Sequence, residues 1–169
     1  SAPNIVEFND GNLANGDTVA LITPIFGDLG TGLNQIRFQL LLENTTNNIH
    51  TMVIGTVNDN ADPSSFKLYK EIPFAEIPQG AFDEYIVYLD DTSKIGANSR
   101  VVFVHGPGTF ELYIDDFYYE AIPPCPDPRS ITTVDLTQFG ATATWNPGPF
   151  GAEWEIEYGP FGFTPGGGT

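Results

Sequence analysis

Apolar and polar residues alternate with a period of two along much of the chain, the signature of strands with one buried face. The clearest stretch places Ile36, Phe38, Leu40 and Leu42 on one side, with Arg37, Gln39 and Glu43 mostly on the other. An Asn-rich turn over 44–48 follows, and 51–57 returns as a strand apolar enough to be buried on both faces. Residues 58–63 form a hairpin loop of types that tolerate turn geometry, and 66–72 predicts the next strand. After an excursion bounded by Pro73 and Pro78, Tyr85, Val87 and Leu89 alternate with Ile86, Tyr88 and Asp90. Residues 100–105 read as a central strand, Gly106-Pro107-Gly108 as its turn, and 110–120 as the strand that closes the set. At the front, strands over 4–8 and 18–22 flank a loop rich in Asn, Gly and Asp. Eight strands within 122 residues predict two packed sheets.

The pattern changes at Pro123-Pro124-Cys125-Pro126-Asp127-Pro128, where four prolines in six residues make a stiff, extended connector. Beyond it, 131–136, 141–145 and 154–158 predict three short strands. The expected organisation is therefore a first domain over 1–122, a linker over 123–128 and a second domain over 129–169. The 18 Gly and 14 Pro of this 169-residue chain are spread throughout, which leaves little room for long helices. The fold class expected is all-β.

Charge narrows the function. With 22 acidic and 6 basic side chains, the formal net charge is −16, divided as −12 over 1–122 and −4 over 123–169. Neither part offers the clustered Lys and Arg that nucleic acid or anionic lipid demands. At 41% hydrophobic and 13% aromatic, the chain is too apolar for a disordered acidic tail, and no apolar run is long enough for a membrane helix. The opening Ser1-Ala2-Pro3 carries no signal peptide, so a mature, trimmed or internal stretch of a secreted protein is expected. The lone Cys125 cannot form an internal disulfide, and a partner elsewhere in a parent chain is the favoured explanation.

Two resemblances carry specific residues. The second segment resembles the start of a fibronectin type III domain through its Pro-rich entry, Ala141-Thr142-Ala143-Thr144-Trp145, and Trp154-Glu155-Ile156-Glu157-Tyr158-Gly159. The closing Gly159-Pro160-Phe161-Gly162-Phe163-Thr164-Pro165-Gly166 is similar to a turn in modules from gliding, type IX-secreting bacteria. A complete sandwich of this kind needs seven strands and about 100 residues, so the second domain is expected to continue past residue 169. The first segment resembles the jelly-roll modules of the cleaved-adhesin and MAM-like (meprin/A5/mu) group. It does so through Ala20-Leu21-Ile22-Thr23-Pro24-Ile25-Phe26, Asn34-Gln35-Ile36-Arg37-Phe38, Val53-Ile54-Gly55-Thr56 leading to Asp62-Pro63-Ser64-Ser65-Phe66, and Leu112-Tyr113-Ile114-Asp115-Asp116-Phe117. It departs from that group in lacking an extra opening strand and an acidic/Trp segment ahead of Asn4. Together the resemblances imply a jelly-roll β-sandwich followed by a partial immunoglobulin-like sandwich. The implied role is a non-catalytic adhesion or binding module of a larger, secreted or cell-surface bacterial protein. Its partners would be a glycan, an extracellular or cell-surface protein, and other domains of the same parent chain. The alternatives are a carbohydrate-binding module of a polysaccharide-degrading enzyme and a stalk or spacer repeat.

Catalytic chemistry finds little support. His50 and His105 sit at strand ends, and no Gly-x-Ser-x-Gly, His-Glu-x-x-His or Cys-x-x-Cys motif occurs. The adjacent pairs Asp90, Asp91 and Asp115, Asp116 point to opposite faces of a strand, so neither pair can flank one scissile bond. Asp115 and Asp116 nevertheless end an apolar run, where a carboxylate facing the interior needs compensation. The resemblance implies a structural Ca²⁺ there, with Asp116 the leading ligand and Asp115, Asp10 and Asp17 weaker ones. A hydrogen bond from a backbone amide explains the pair equally well. Tyr69, Tyr85, Tyr88, Tyr113, Tyr118 and Tyr119 could stack on sugar rings, and strand alternation sends about half of them to the core.

Overall fold

A computed structural model describes residues 5–9, 18–43, 50–59, 62–106, 110–126, 128–150, 153–160, 162–164 and 166. The chain divides into two compact units, Ser1–Ile122 and Pro123–Thr169. It is all-β, and its four described helical elements are three-residue 3₁₀ turns.

The first unit holds β1 (Val6–Asn9), β2 (Val19–Ile22), β3 (Asn34–Glu43), β4 (Thr51–Val57), β5 (Lys67–Pro73), β6 (Asp83–Tyr88), β7 (Arg100–His105) and β8 (Glu111–Ala121). They form two antiparallel four-stranded sheets, ordered β1-β8-β3-β6 and β2-β7-β4-β5. Every sheet neighbour except the hairpin pair β4–β5 is joined by a long connection, and the interleaved order is that of an eight-stranded jelly roll. The alternation along β3 explains its place at the centre. Ile36, Phe38, Leu40 and Leu42 are wholly buried, and they meet Met52 and Ile54 of β4 and Val101 and Phe103 of β7 from the facing sheet. The Phe38 and Phe103 rings pack edge to face across the sandwich at 5.1 Å.

Three tyrosines close this core at its margins and hold loops with their hydroxyls. Tyr69 donates to the Asp91 carbonyl (2.6 Å), Tyr85 to the Glu76 carbonyl (3.0 Å) and Tyr119 to Asp28 Oδ1 (2.8 Å). Burial, reinforced by nearby carboxylates, raises all three phenols, Tyr85 to about 12. A raised folded value means that the folded state favours the neutral phenol. Its contribution is full below the unfolded value of about 10 and is lost as pH rises through the folded value. Urea unfolding free energy should therefore hold to about pH 10 and fall steeply above it. Tyrosinate absorbance should rise with that loss. Stability that is flat through the folded pKa of Tyr85 would contradict the assignment.

The second unit contains β9 (Arg129–Thr137) and β10 (Gly140–Asn146), paired as one antiparallel hairpin. Thr137 Oγ1 accepts from the backbone N–H groups of Phe139 (3.2 Å) and Gly140 (3.1 Å) and so fastens the turn. The strand expected over 154–158 is not formed: that segment carries no ladder. A strand needs a neighbour for its N–H and C=O groups, and none flanks it among the described residues. Trp154 and Ile156 instead line a hollow of about 250 Å³ with Trp145 and Ile131. Leu136 and Phe139 are 79% and 90% exposed, so this hairpin has little core of its own.

Candidate functional site

The two outward faces of the jelly roll differ sharply. On the β2-β7-β4-β5 sheet, register sets Ala20, Val104 and Val53 in one row and Ile22, Val102 and Gly55 in the next. All six are apolar, although an outward sheet face ordinarily alternates to polar, and Glu71 of β5 stands opposite Val53 at the end of the first row. Phe66 lies over Gly55, where a Cβ would come within 2.5 Å of its ring. The result is a groove of about 370 Å³ lined by these side chains with Val57 and Pro63, and Thr18 and Asp59 supply its polar margin. Val53, Val104 and Ile22 are half-buried, so the groove is open to solvent. The apolar run over 51–57, now β4, was expected to be buried on both faces. The structure covers the inner face and leaves the outer one as this groove.

The β1-β8-β3-β6 sheet turns outward a polar surface. Arg37 sits at its middle, opposite Tyr118 of β8 and Ile86 of β6. Its Nε donates to Glu120 Oε1 (3.1 Å) and its Nη1 to Glu84 Oε1 (3.2 Å), while Gln35 Nε2 also donates to Glu120 Oε1 (2.9 Å). The Arg37 side-chain hydrogen bond, then that of Gln35, holds the Glu120 carboxyl below its ordinary range. The guanidinium lies over the Tyr118 ring, 4.3 Å from its centroid. Tyr88, Tyr113 and Tyr118 belong to this outward face, while Tyr69, Tyr85 and Tyr119 pack on the core.

Asp115 and Asp116 occupy a β-bulge. Gln39 faces Asp115 and Arg37 faces Tyr118, so Asp116 and Phe117 together oppose Phe38. Asp116 takes the left-handed conformation (φ 49°), which Asp tolerates better than most residues. Its N–H donates to Asp115 Oδ1 at 2.8 Å, the amide bond foreseen as the alternative to metal. Asp116 is exposed and Asp115 half-buried, at the mouth of a crevice of about 240 Å³ between the sheets. Among the described residues no three His, Cys, Asp or Glu side chains gather as a metal group. Asp10 and Asp17, the other two expected ligands, lie outside the described residues.

Asn58 and Asp62 of the loop read over 58–63 are both tied down by side-chain hydrogen bonds. Asn58 Oδ1 accepts from Gly96 N–H (3.1 Å) and Ser99 Oγ, and Asp62 Oδ1 accepts from Ser64 N–H (2.9 Å), capping a turn. That bond, with the Ser64 side chain contributing most, holds Asp62 below the ordinary carboxylate range. Both histidines serve packing: His50 and His105 lie against Phe110, at 5.4 and 5.0 Å between centroids. His105 Nδ1 donates to the Gly106 carbonyl at 2.8 Å. Cys125 is exposed in the proline-rich connector. No family model matches the sequence, and no curated protein matches it.

Proposed function

We propose that this chain is a non-catalytic adhesion module of a larger secreted or cell-surface protein. Its first unit is a jelly roll of the cleaved-adhesin and MAM-like kind, and its second is the opening of a fibronectin type III domain. The observation that supports the role is the apolar groove on the β2-β7-β4-β5 sheet. Aliphatic side chains in two adjoining rows with a polar margin have the anatomy of a protein-binding patch, apolar at its centre and hydrophilic at its rim. The net charge of −16 adds long-range steering towards partners of basic surface.

Val53→Glu and Val104→Glu each place a carboxylate in the groove without touching the inner core. Surface plasmon resonance of the whole chain against a panel of purified extracellular proteins is expected to show saturable binding to at least one. Each variant should weaken that binding about tenfold or more, at unchanged melting temperature. Equal binding by both variants overturns the groove as the site. Release of reducing sugar or peptide by the pure chain overturns the non-catalytic reading.

A further inference from the structure

We infer that the outward face of the β1-β8-β3-β6 sheet is a second binding site, built for a neutral glycan and centred on Tyr118 and Arg37. It goes beyond the adhesive groove, which lies on the other sheet. Tyr118 is 45% exposed although β8 is an inner strand of its sheet. Pairing between β1 and β8 ends at Val6 and Ile114, so no described strand flanks β8 beside Tyr118 on that side. One face of the ring is backed by the Arg37 guanidinium, and nearly half of the residue stays exposed. The phenol hydroxyl has no partner among the described residues. An amphipathic ring backed by a clamped guanidinium and partly exposed is a platform for the C–H face of a pyranose.

The polar groups around it are fixed in advance. Arg37 is clamped by carboxylates from both neighbouring strands, so ordering its long side chain costs a ligand little. Two of its five N–H donors are used, leaving three for ligand hydroxyls. Glu120 Oε1 takes both Arg37 Nε and Gln35 Nε2, and the second oxygen of that carboxylate keeps its acceptor capacity. Gln35, only 4% exposed, cannot swing away. Donors and acceptors side by side beneath an exposed ring match vicinal hydroxyls, each of which gives and takes a hydrogen bond.

Charge selects the class of sugar. Arg37 is the one basic side chain on this face among the described residues, and Glu84 and Glu120 hold it, with Glu7, Glu43 and Glu111 further along. Such a surface repels phosphate, sulfate and uronate groups. A cationic peptide is the rival ligand, and salt separates the two: sugar stacking resists it while ion pairing is screened.

The test is calorimetric titration of the whole chain with cello-, xylo-, manno- and maltohexaose, and separately with oligolysine. At least one hexasaccharide is expected to bind at one site, with little change between low and high salt. Tyr118→Ala and Arg37→Met should each weaken it about tenfold or more, while Tyr118→Trp retains it. Val104→Glu, which lies in the groove, should leave sugar binding intact, so failure of the groove and failure of this site are distinguishable. Silence from all four sugars, unchanged affinity in folded Tyr118→Ala, or salt-sensitive binding of oligolysine alone overturns the proposal.

Discussion

Phe38→Ala should cost the first unit about 3–5 kcal/mol, the range for emptying a buried phenylalanine site. Phe38 is wholly buried at the middle of β3, the strand held between β8 and β6. Its ring meets Phe103 edge to face at 5.1 Å and Tyr85 in a stack at 6.0 Å. Removing it leaves a hole lined from both sheets, and the bulge opposite it at Asp116 and Phe117 loses the surface that anchors it. A domain of this size is commonly stable by about 5–15 kcal/mol, so the variant should be marginal or unfolded. Urea denaturation followed by near-ultraviolet circular dichroism measures the loss. Phe139→Ala, at a 90% exposed position in the second unit, is the control and should leave that transition in place. A cost below about 1 kcal/mol at Phe38 would mean that the two sheets do not share this core.

The strands were legible because side chains that alternate on a sheet leave their period in the sequence. Met52 and Ile54 lie in the 51–57 run expected to be buried, and both are. The same runs could not say what covers Val53, Val102 and Val104, because a residue buried by its own fold and one awaiting a partner look alike in a sequence. The bulge at Asp116 was hidden for a different reason: it exists only relative to Phe38, seventy-odd positions away. Arg37, Glu84 and Glu120 likewise meet only through strand register, and the signal available was a lone arginine on the polar side of the best-patterned strand. Trp154, Ile156 and Tyr158 carry strand-forming residue types, yet residue type cannot supply the neighbour that a ladder requires.

Gly55→Ala should destabilise the first unit by about 1–3 kcal/mol, the cost of overpacking, and abolish binding in the groove. A Cβ at Gly55 would press on the Lys67 carbonyl and lie 2.5 and 2.6 Å from Phe66 Cε2 and Cζ. The phenyl ring could swing aside, but the carbonyl belongs to β5, which pairs with β4 at Gly55 and Leu68. Relief therefore requires β5 itself to move at the register shift between Ile54 and Gly55. Against this stands a gain of about 0.4–1 kcal/mol from the less flexible unfolded chain, so the clash wins. Displacing Phe66 also changes the shape of the groove that it lines together with Val102. Thermal melts should fall for Gly55→Ala and hold for Gly27→Ala, where φ is not positive and nothing lies within 4 Å of a Cβ. Stability can be restored by pairing Gly55→Ala with Phe66→Ala, which removes the ring though not the backbone contact, and recovery should accordingly be partial. Full stability together with full partner binding in Gly55→Ala would show that β4 and β5 are not held as closely as this register places them.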